Sequence, residues 1–575
     1  MNKKTLSLQA ADAIWSSVCI ACVLFLVVGA SPIAARADAP STKCDRFLIE
    51  KMASAPKSGW SYVIARLEGK ISPDKEAALR RCGADIRRRL PVIGSVALAV
   101  PSRNLAKLAA LPFIVHLSSD EMVKKSDEFT VSSSGADVAF ANFGLTGQGV
   151  TVAVVDSGIQ HHPDLKDGRK GFRVIASANF VPGANSARDE CGHGTHVAGI
   201  IAGNGSASSG PNCFRTFYGI ARRANLVNVR VLDETGQGTV SGVIAGIQWV
   251  IQHRTDYGIR IMNISMGHPV GESYTTDPLC QAVEQAWKSG IFVVCAAGNM
   301  GRKNATRTPG ADNDGWGTAY GTIQSPGNDP YVLTVGAMRS MDGMRSHDTI
   351  ATYSSRGPTR LDFVLKPDIV APGNQIISLS AHDGYLVNTY PENVVPPSTY
   401  CTAPRSDASS PYYRLSGTSM AAPVVAGAAA LMLEKDPTLS PDTIKARLMI
   451  SADRWSAPDG SWDPCTYGAG YLDIPAALNC SATPAIPALS PTLYVDSAGN
   501  VRVNTQNIIW GENIIWGVSG VTDLNIIWGE NIIWGTNIIW GTGTLAADPI
   551  WTDNIIWGTS TAAIDLSNSV RSGDD

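Results

Sequence analysis

Three short stretches carry residues that can do chemistry together. Residues 150–155 form an apolar, β-branched run that ends in Asp156-Ser157-Gly158. Such a run reads as a buried strand with a carboxylate at its C-terminal end, where open α/β sheets place their sites. Gly192-His193-Gly194-Thr195-His196 opens a helix of small residues with a histidine. Gly417-Thr418-Ser419-Met420-Ala421-Ala422-Pro423 sets a serine between a small turn and an Ala-rich helical run. A serine hydroxyl is a weak nucleophile and needs a base within reach and donors aimed at the oxyanion it creates. A lone serine before a helix is usually a cap. Here Asp156 would fix the tautomer of His193, and His193 would take the proton of Ser419. Asn299, after Ala296-Ala297-Gly298, is the expected oxyanion donor, together with the Ser419 backbone N–H.

Two rival chemistries fail on the residues. His193 and His196 could form a metal pair on a helix, but the glutamate of His-Glu-x-x-His is missing. His196 therefore reads as a packed helix residue. An esterase of the α/β-hydrolase kind would need Gly-x-Ser-x-Gly around Ser419, and the chain order would differ.

The elements that must position these residues alternate. Strands are expected at 150–155, 225–231, 260–264, 291–295 and 331–335, and helices at 193–203, 239–253, 278–289, 418–434 and 441–451. Such alternation implies a mostly parallel sheet covered on both faces. Residues 205–216 and 381–411 read as inserted loops, the second rich in Pro and Tyr.

The blocks around Asp156, His193 and Ser419 resemble the three signature blocks of the subtilisin-like serine proteases, the subtilase family, peptidase family S8. Ala296-Ala297-Gly298-Asn299, Ser354-Ser355-Arg356-Gly357-Pro358 and Lys366-Pro367-Asp368 agree, and the likeness runs from about residue 147 to about 478. One departure is Val424, where many members carry a second histidine. The resemblance implies a three-layer α/β fold and a serine endopeptidase whose chemistry needs no cofactor. It places Gly236-Gln237-Gly238 and Ser265-Met266-Gly267 on either side of a peptide bound as an extended strand. It puts Gln324 near the floor of the pocket for the residue before the cut, which would make that pocket broad and somewhat polar. It also implies structural calcium with Asp164 as a carboxylate ligand, an ordinary loop aspartate being the alternative.

The flanks have their own signals. Lys3 and Lys4, an apolar run over 14–29 and Ala35-Arg36-Ala37 read as a signal peptide over 1–37, so the chain is expected to be secreted or held at the cell surface. The run of about 16 residues is short for a membrane span of roughly 20. Residues 60–125 read as β-α-β-β-α-β, a ferredoxin-like α+β order. At that position the module resembles the family's inhibitory propeptide, which the enzyme removes itself, with the cut expected between Asp120 and Thr130. The peptidase domain is expected over 126–480, a Pro/Ala-rich linker over 481–506, a repeat region over 507–558 and a tail over 559–575.

In the repeat region Asn-Ile-Ile-Trp-Gly recurs from Asn507, Asn513, Asn525, Asn531, Asn537 and Asn554. It fits a short repetitive β unit, read either as a surface or carbohydrate contact strip or as a plain β stalk or aggregation-prone disordered tail. In a rival reading this Trp-rich strip is the functional part of a surface structural or adhesive protein. Net charge of −3, with no basic tract, argues against a nucleic-acid partner. Nine cysteines follow the expected cleavage, an odd number that leaves at least one free. Cys191 is expected to pair with Cys213, Cys401 with Cys465, and Cys295 to be a buried thiol.

Overall fold

A computed structural model describes residues 59–120, 130–167, 171–402, 410–455, 463–484, 487–495 and 501–504, with a few positions between 43 and 52. The expected signal peptide, most of the expected maturation site and the whole Asn-Ile-Ile-Trp-Gly region lie outside the described residues. The chain divides into two compact units after Lys125.

The first unit runs β1 (Trp60–Leu67), α1 (Pro73–Arg81), β2 (Asp85–Leu90), β3 (Ser95–Pro101), α2 (Leu105–Ala109) and β4 (Ile114–Ser119). Its antiparallel sheet has the order β2-β3-β1-β4. Helix α1 starts where Ser72 Oγ accepts from Lys75 N and Pro73 takes the first turn, with acids at that end and Arg80 and Arg81 at the other. Val63, Ala65, Leu67, Leu79, Leu98, Val100, Leu105 and Leu117 form its core. The edge strand β2 carries Arg87, Arg88 and Arg89, and charge on an edge discourages pairing with other chains.

The second unit is built on an eight-stranded sheet. Its strands are β5 (Thr151–Asp156), β6 (Val174–Asn179), β7 (Asn225–Arg230), β8 (Ile259–Ile264), β9 (Phe292–Ala296), β10 (Leu333–Arg339), β11 (Thr349–Ile350) and β12 (Ile369–Pro372). The order is β11-β10-β9-β8-β5-β7-β6, with β12 also on β10. Only the β10–β11 pair is antiparallel. Strand β5 is buried at every position, which is why it reads as a continuous apolar run. The helices are α3 (His193–Ala202), α4 (Val240–Gln252), α5 (Pro278–Lys288), α6 (Thr418–Lys435) and α7 (Pro441–Ile450). Each lies within two residues of its expected bounds. Helix α6 packs on α3, β8, β9, β10 and β12, and all but its last residues are buried. A separate hairpin pairs β13 (Ile376–Leu379) with β14 (Tyr412–Leu415), the strand that leads into Ser419.

Three expectations change. Strand β6 was not foreseen: Val174-Ile175-Ala176-Ser177-Ala178-Asn179 has neither an apolar run nor a clean alternation, and it sits at the sheet edge. The stretch expected as a linker is partly packed into the second unit. Ala488 and Ser490 are fully buried, Ala488 N donates to Asp442 Oδ1 and Leu365 N donates to the Pro491 carbonyl. Ser490 Oγ also lies 2.9 Å from Lys445 Nζ, beside the buried pair Lys366–Asp368. Finally, the disulfide joins Cys213 to Cys401, not Cys191 to Cys213 or Cys401 to Cys465. Cys191 and Cys465 are buried free thiols, and so is Cys295. Cys191 is buried just before α3, whereas Cys213 and Cys401 lie on the two inserted loops, which meet in a β-bridge at these residues.

Candidate active site

Asp156 stands at the last position of the central strand β5, and His193 opens α3 beside it. His193 Nδ1 lies 2.8 Å from Asp156 Oδ1, and both side chains are fully buried. Ser157 N donates to the same oxygen. Gly194 allows this approach, since a Cβ there would lie 2.2 Å from the Gly158 carbonyl and 3.2 Å from Asp156 Cβ. With Nδ1 facing the carboxylate, the ring's acceptor is Nε2. That atom is buried and has no hydrogen-bond partner among the described residues. A buried polar atom left without a partner in a well-packed core calls for a functional account.

A residue that sequence reasoning missed holds this loop. Asp189 is fully buried and accepts from Ser157 Oγ, Cys191 N, Gly192 N and Thr195 N at 2.7–3.0 Å. Burial raises its carboxyl above the usual range. An acid four residues ahead of a helix-opening histidine was the available signal, because the first N–H groups of a helix need outside acceptors. His196 is a packed residue. Its Nε2 lies 3.1 Å from the carbonyls of Ile376 and Tyr413, and burial lowers it to about 3.

Ser419 lies in the first turn of α6, 4 % exposed, and α6 packs against α3. Its carbonyl accepts from Ser265 Oγ at 2.8 Å, and Asn263 Nδ2 donates to Ser265 Oγ. Asn299 is half-buried, and its Oδ1 accepts from Thr418 N at 2.9 Å and Thr418 Oγ1 at 3.1 Å. The carbonyl side of the amide is therefore spent on the residue next to Ser419, and the Nδ2 donors face the other way. Thr418 Oγ1 accepts in turn from Gly298 N.

The remaining predicted positions fall on two segments. Gly236 is buried, and Gln237 and Gly238 line an open cleft of about 990 Å³ with Glu190, Asp233 and Glu234. Ser265 and Met266 are buried, and Gly267 is half-buried. The Ser265 side chain thus serves the Ser419 carbonyl rather than the outside. A Cβ built on Gly298 would lie 2.8 Å from Gln324 Oε1, and one on Gly267 3.2 Å from it. The Gln324 amide therefore lies with its polar head between Gly267 and Gly298.

Asp164 does not fit a calcium ligand. It is fully buried, its Oδ1 accepts from Ala207 N and Ser206 Oγ, and its Oδ2 accepts from Tyr412 OH. Calcium sites gather several oxygens around the ion, but these oxygens already serve protein donors. Among the described residues no cluster of three or more His, Cys, Asp or Glu side chains is placed to hold a metal.

A buried Asp–His pair lies at the C-terminal end of a mostly parallel sheet, and Ser419 lies in the first turn of a helix packed against the histidine's own helix. The subtilase pattern matches residues 147–470, and the chain belongs to the subtilase family. It is 39% identical over 353 residues to the serine protease AprX of Bacillus subtilis, covering 60% of this chain and 70% of the relative. It is 33% identical to subtilisin DY of Bacillus licheniformis, covering 58% of this chain and 92% of that protein. It is 28% identical to subtilisin E of Bacillus subtilis over 81% of this chain and 98% of that protein.

Proposed function

We propose that Asp156, His193 and Ser419 form the catalytic triad of this endopeptidase. The observation that carries this reading is the buried His193 ring, held by Asp156 at Nδ1 and unpartnered at Nε2. Ser419 Oγ attacks the scissile carbonyl carbon as its proton passes to His193 Nε2. The imidazolium, steadied by Asp156, then gives that proton to the leaving amine. Water attacks the acyl-enzyme by the same route and frees the serine. Asn299 Nδ2 and the Ser419 backbone N–H would receive the oxyanion. The anchoring of Asn299 Oδ1 on Thr418 supports its share in this role.

The substrate is a polypeptide laid as an extended strand between residues 236–238 and 265–267. Gln324 gives the pocket before the cut a polar floor. A peptide library preferring large aromatics there would count against this. Residues 60–125 act as the enzyme's own inhibitory propeptide, and residues 1–37 direct export to the outside or the cell surface. Among the described residues no helix is long and apolar enough to cross a membrane. The sixfold Asn-Ile-Ile-Trp-Gly repeat reads first as a plain stalk or tail, with a surface or carbohydrate contact as the second reading. The triad is tested by a serine-directed fluorophosphonate. Wild type should carry the label on Ser419, and His193→Ala should lose it. Labelling elsewhere, or equal labelling of both, would overturn the assignment.

A further inference from the structure

The insertion over residues 381–411 has no part in the mechanism above, yet its described residues touch all three segments that carry the proposed triad. On the loop after Asp156, Gln160 Oε1 accepts from His382 N at 3.0 Å, and Gln160 Nε2 donates to Asp383 Oδ1 at 2.7 Å. Gln160 N itself donates to Thr195 Oγ1 of α3. On the loop before His193, Tyr385 N donates to the Glu190 carbonyl at 2.8 Å, and Leu386 N donates to the Cys191 carbonyl at 2.9 Å. Gly384 permits that approach, because a Cβ there would lie 2.8 Å from the Cys191 carbonyl oxygen. Leu386 is 3% exposed, and its Cβ would be 3.7 Å from a Cβ on Gly192, the residue that precedes His193. On the strand leading to Ser419, Tyr413 OH donates to the carbonyls of Leu386 and Tyr390 at 2.9 Å.

The far end of the insertion is fastened separately. Cys401 is bonded to Cys213. Phe214 N donates to the Tyr400 carbonyl, and Thr402 N donates to the Asn212 carbonyl. Tyr400 also packs its ring on Phe217 and Tyr412.

We propose that residues 382–386 are a bracket that sets His193 relative to Asp156 and Ser419, with Leu386 as its positioning residue and the Cys213–Cys401 bond as its fastening. The proposal rests on the triad assignment. Proton transfer demands the imidazole within a fraction of an ångström of its partners, and misplacement by about 1 Å costs up to about 10²-fold in rate. A bracket whose bonds fall mainly on the carriers of the triad changes turnover more than substrate affinity.

The test uses the full chain after maturation, with active sites counted by fluorophosphonate titration and a chromogenic peptide as substrate. Leu386→Ala keeps Cβ but removes the buried remainder of the side chain, including the Cδ1 that a Cβ on Gly192 would meet at 3.9 Å. Tyr413→Phe removes only a hydroxyl, so it keeps the fold. Each should lower kcat per titrated site about tenfold while KM stays within about twofold. Leu386→Met should restore most of the loss. Reducing the disulfide in wild type should lower kcat in the same direction. Unchanged kcat per titrated site in both variants, with only Tm falling, would make the insertion a plain structural loop and overturn the bracket. If both variants respond but reduced wild type does not, the disulfide is not its fastening. A wild type that cannot be titrated would overturn the triad assignment instead.

Discussion

The two halves of the site are held by different means. The His193 half hangs on a buried carboxylate: Asp189 gathers four donors from the loop and helix start around the histidine. Among the described residues the Ser419 half is held by neutral groups, the Ser265 hydroxyl on the Ser419 carbonyl and the Asn299 amide on Thr418. A carboxylate in the core is costly to desolvate, and it persists because every donor aimed at it would otherwise be orphaned. In the proposed mechanism the histidine keeps one orientation through two proton transfers, and a multi-point anchor does that. The serine sits on a long buried helix whose packing already fixes it, so single neutral bonds suffice.

Substitutions can break this contrast. Asp189→Ala should be the most damaging. It orphans four donors at about 1 kcal/mol each, so about 4 kcal/mol of stability should be lost in urea unfolding. A loss below about 1 kcal/mol would show that the loop stands without it. Asn299→Ala should lower kcat by about 10²–10³ with KM little changed, a magnitude known from removal of such a donor in subtilisin itself. An equal loss in both parameters would deny it the oxyanion role. Ser265→Ala removes a neutral bond to the Ser419 carbonyl and one from Asn263 Nδ2, and should cost about 2 kcal/mol in the same urea unfolding. A loss as large as that of Asp189→Ala would erase the contrast.

Two smaller effects sharpen it. His196 is held at about 3 by burial, against 6.5 when free. Between those values the unfolded chain binds the extra proton, so stability should fall as pH drops from about 6.5 towards 3. His196→Gln should flatten that part of a Tm–pH curve, and an unchanged slope would place the acid lability elsewhere. Smallest of all, chelation should leave Tm where it was, because Asp164 spends both oxygens on Ala207, Ser206 and Tyr412. A marked fall in Tm would restore the calcium reading.

What could be read beforehand divides along the same line. Asp156, His193, Asn299 and Ser419 each sit at the end of an element announced by its own local pattern, and the strands and helices around them follow from apolar runs and small-residue stretches. The supports are long-range and stay silent in a linear reading. Gln160 meets Asp383 across 223 residues, and Cys213 meets Cys401 across 188. Cys191 looked like a partner because it was near Cys213 in sequence, whereas the fold buries it. Asp164 looked like a metal ligand from its motif alone, and only the placement of Ser206, Ala207 and Tyr412 showed where its oxygens go. Gln324 was placed by resemblance, but whether its amide widens or fills a pocket depends on a side-chain direction that no pattern encodes.

The most direct test of the central claim is the N-terminal sequence of purified wild-type protein beside Ser419→Ala. The account predicts a wild type that begins within residues 120–130 and a variant that retains the residues before that point. Wild type and variant starting at the same residue after folding would contradict self-cleavage by Ser419, and with it the role given to residues 60–125.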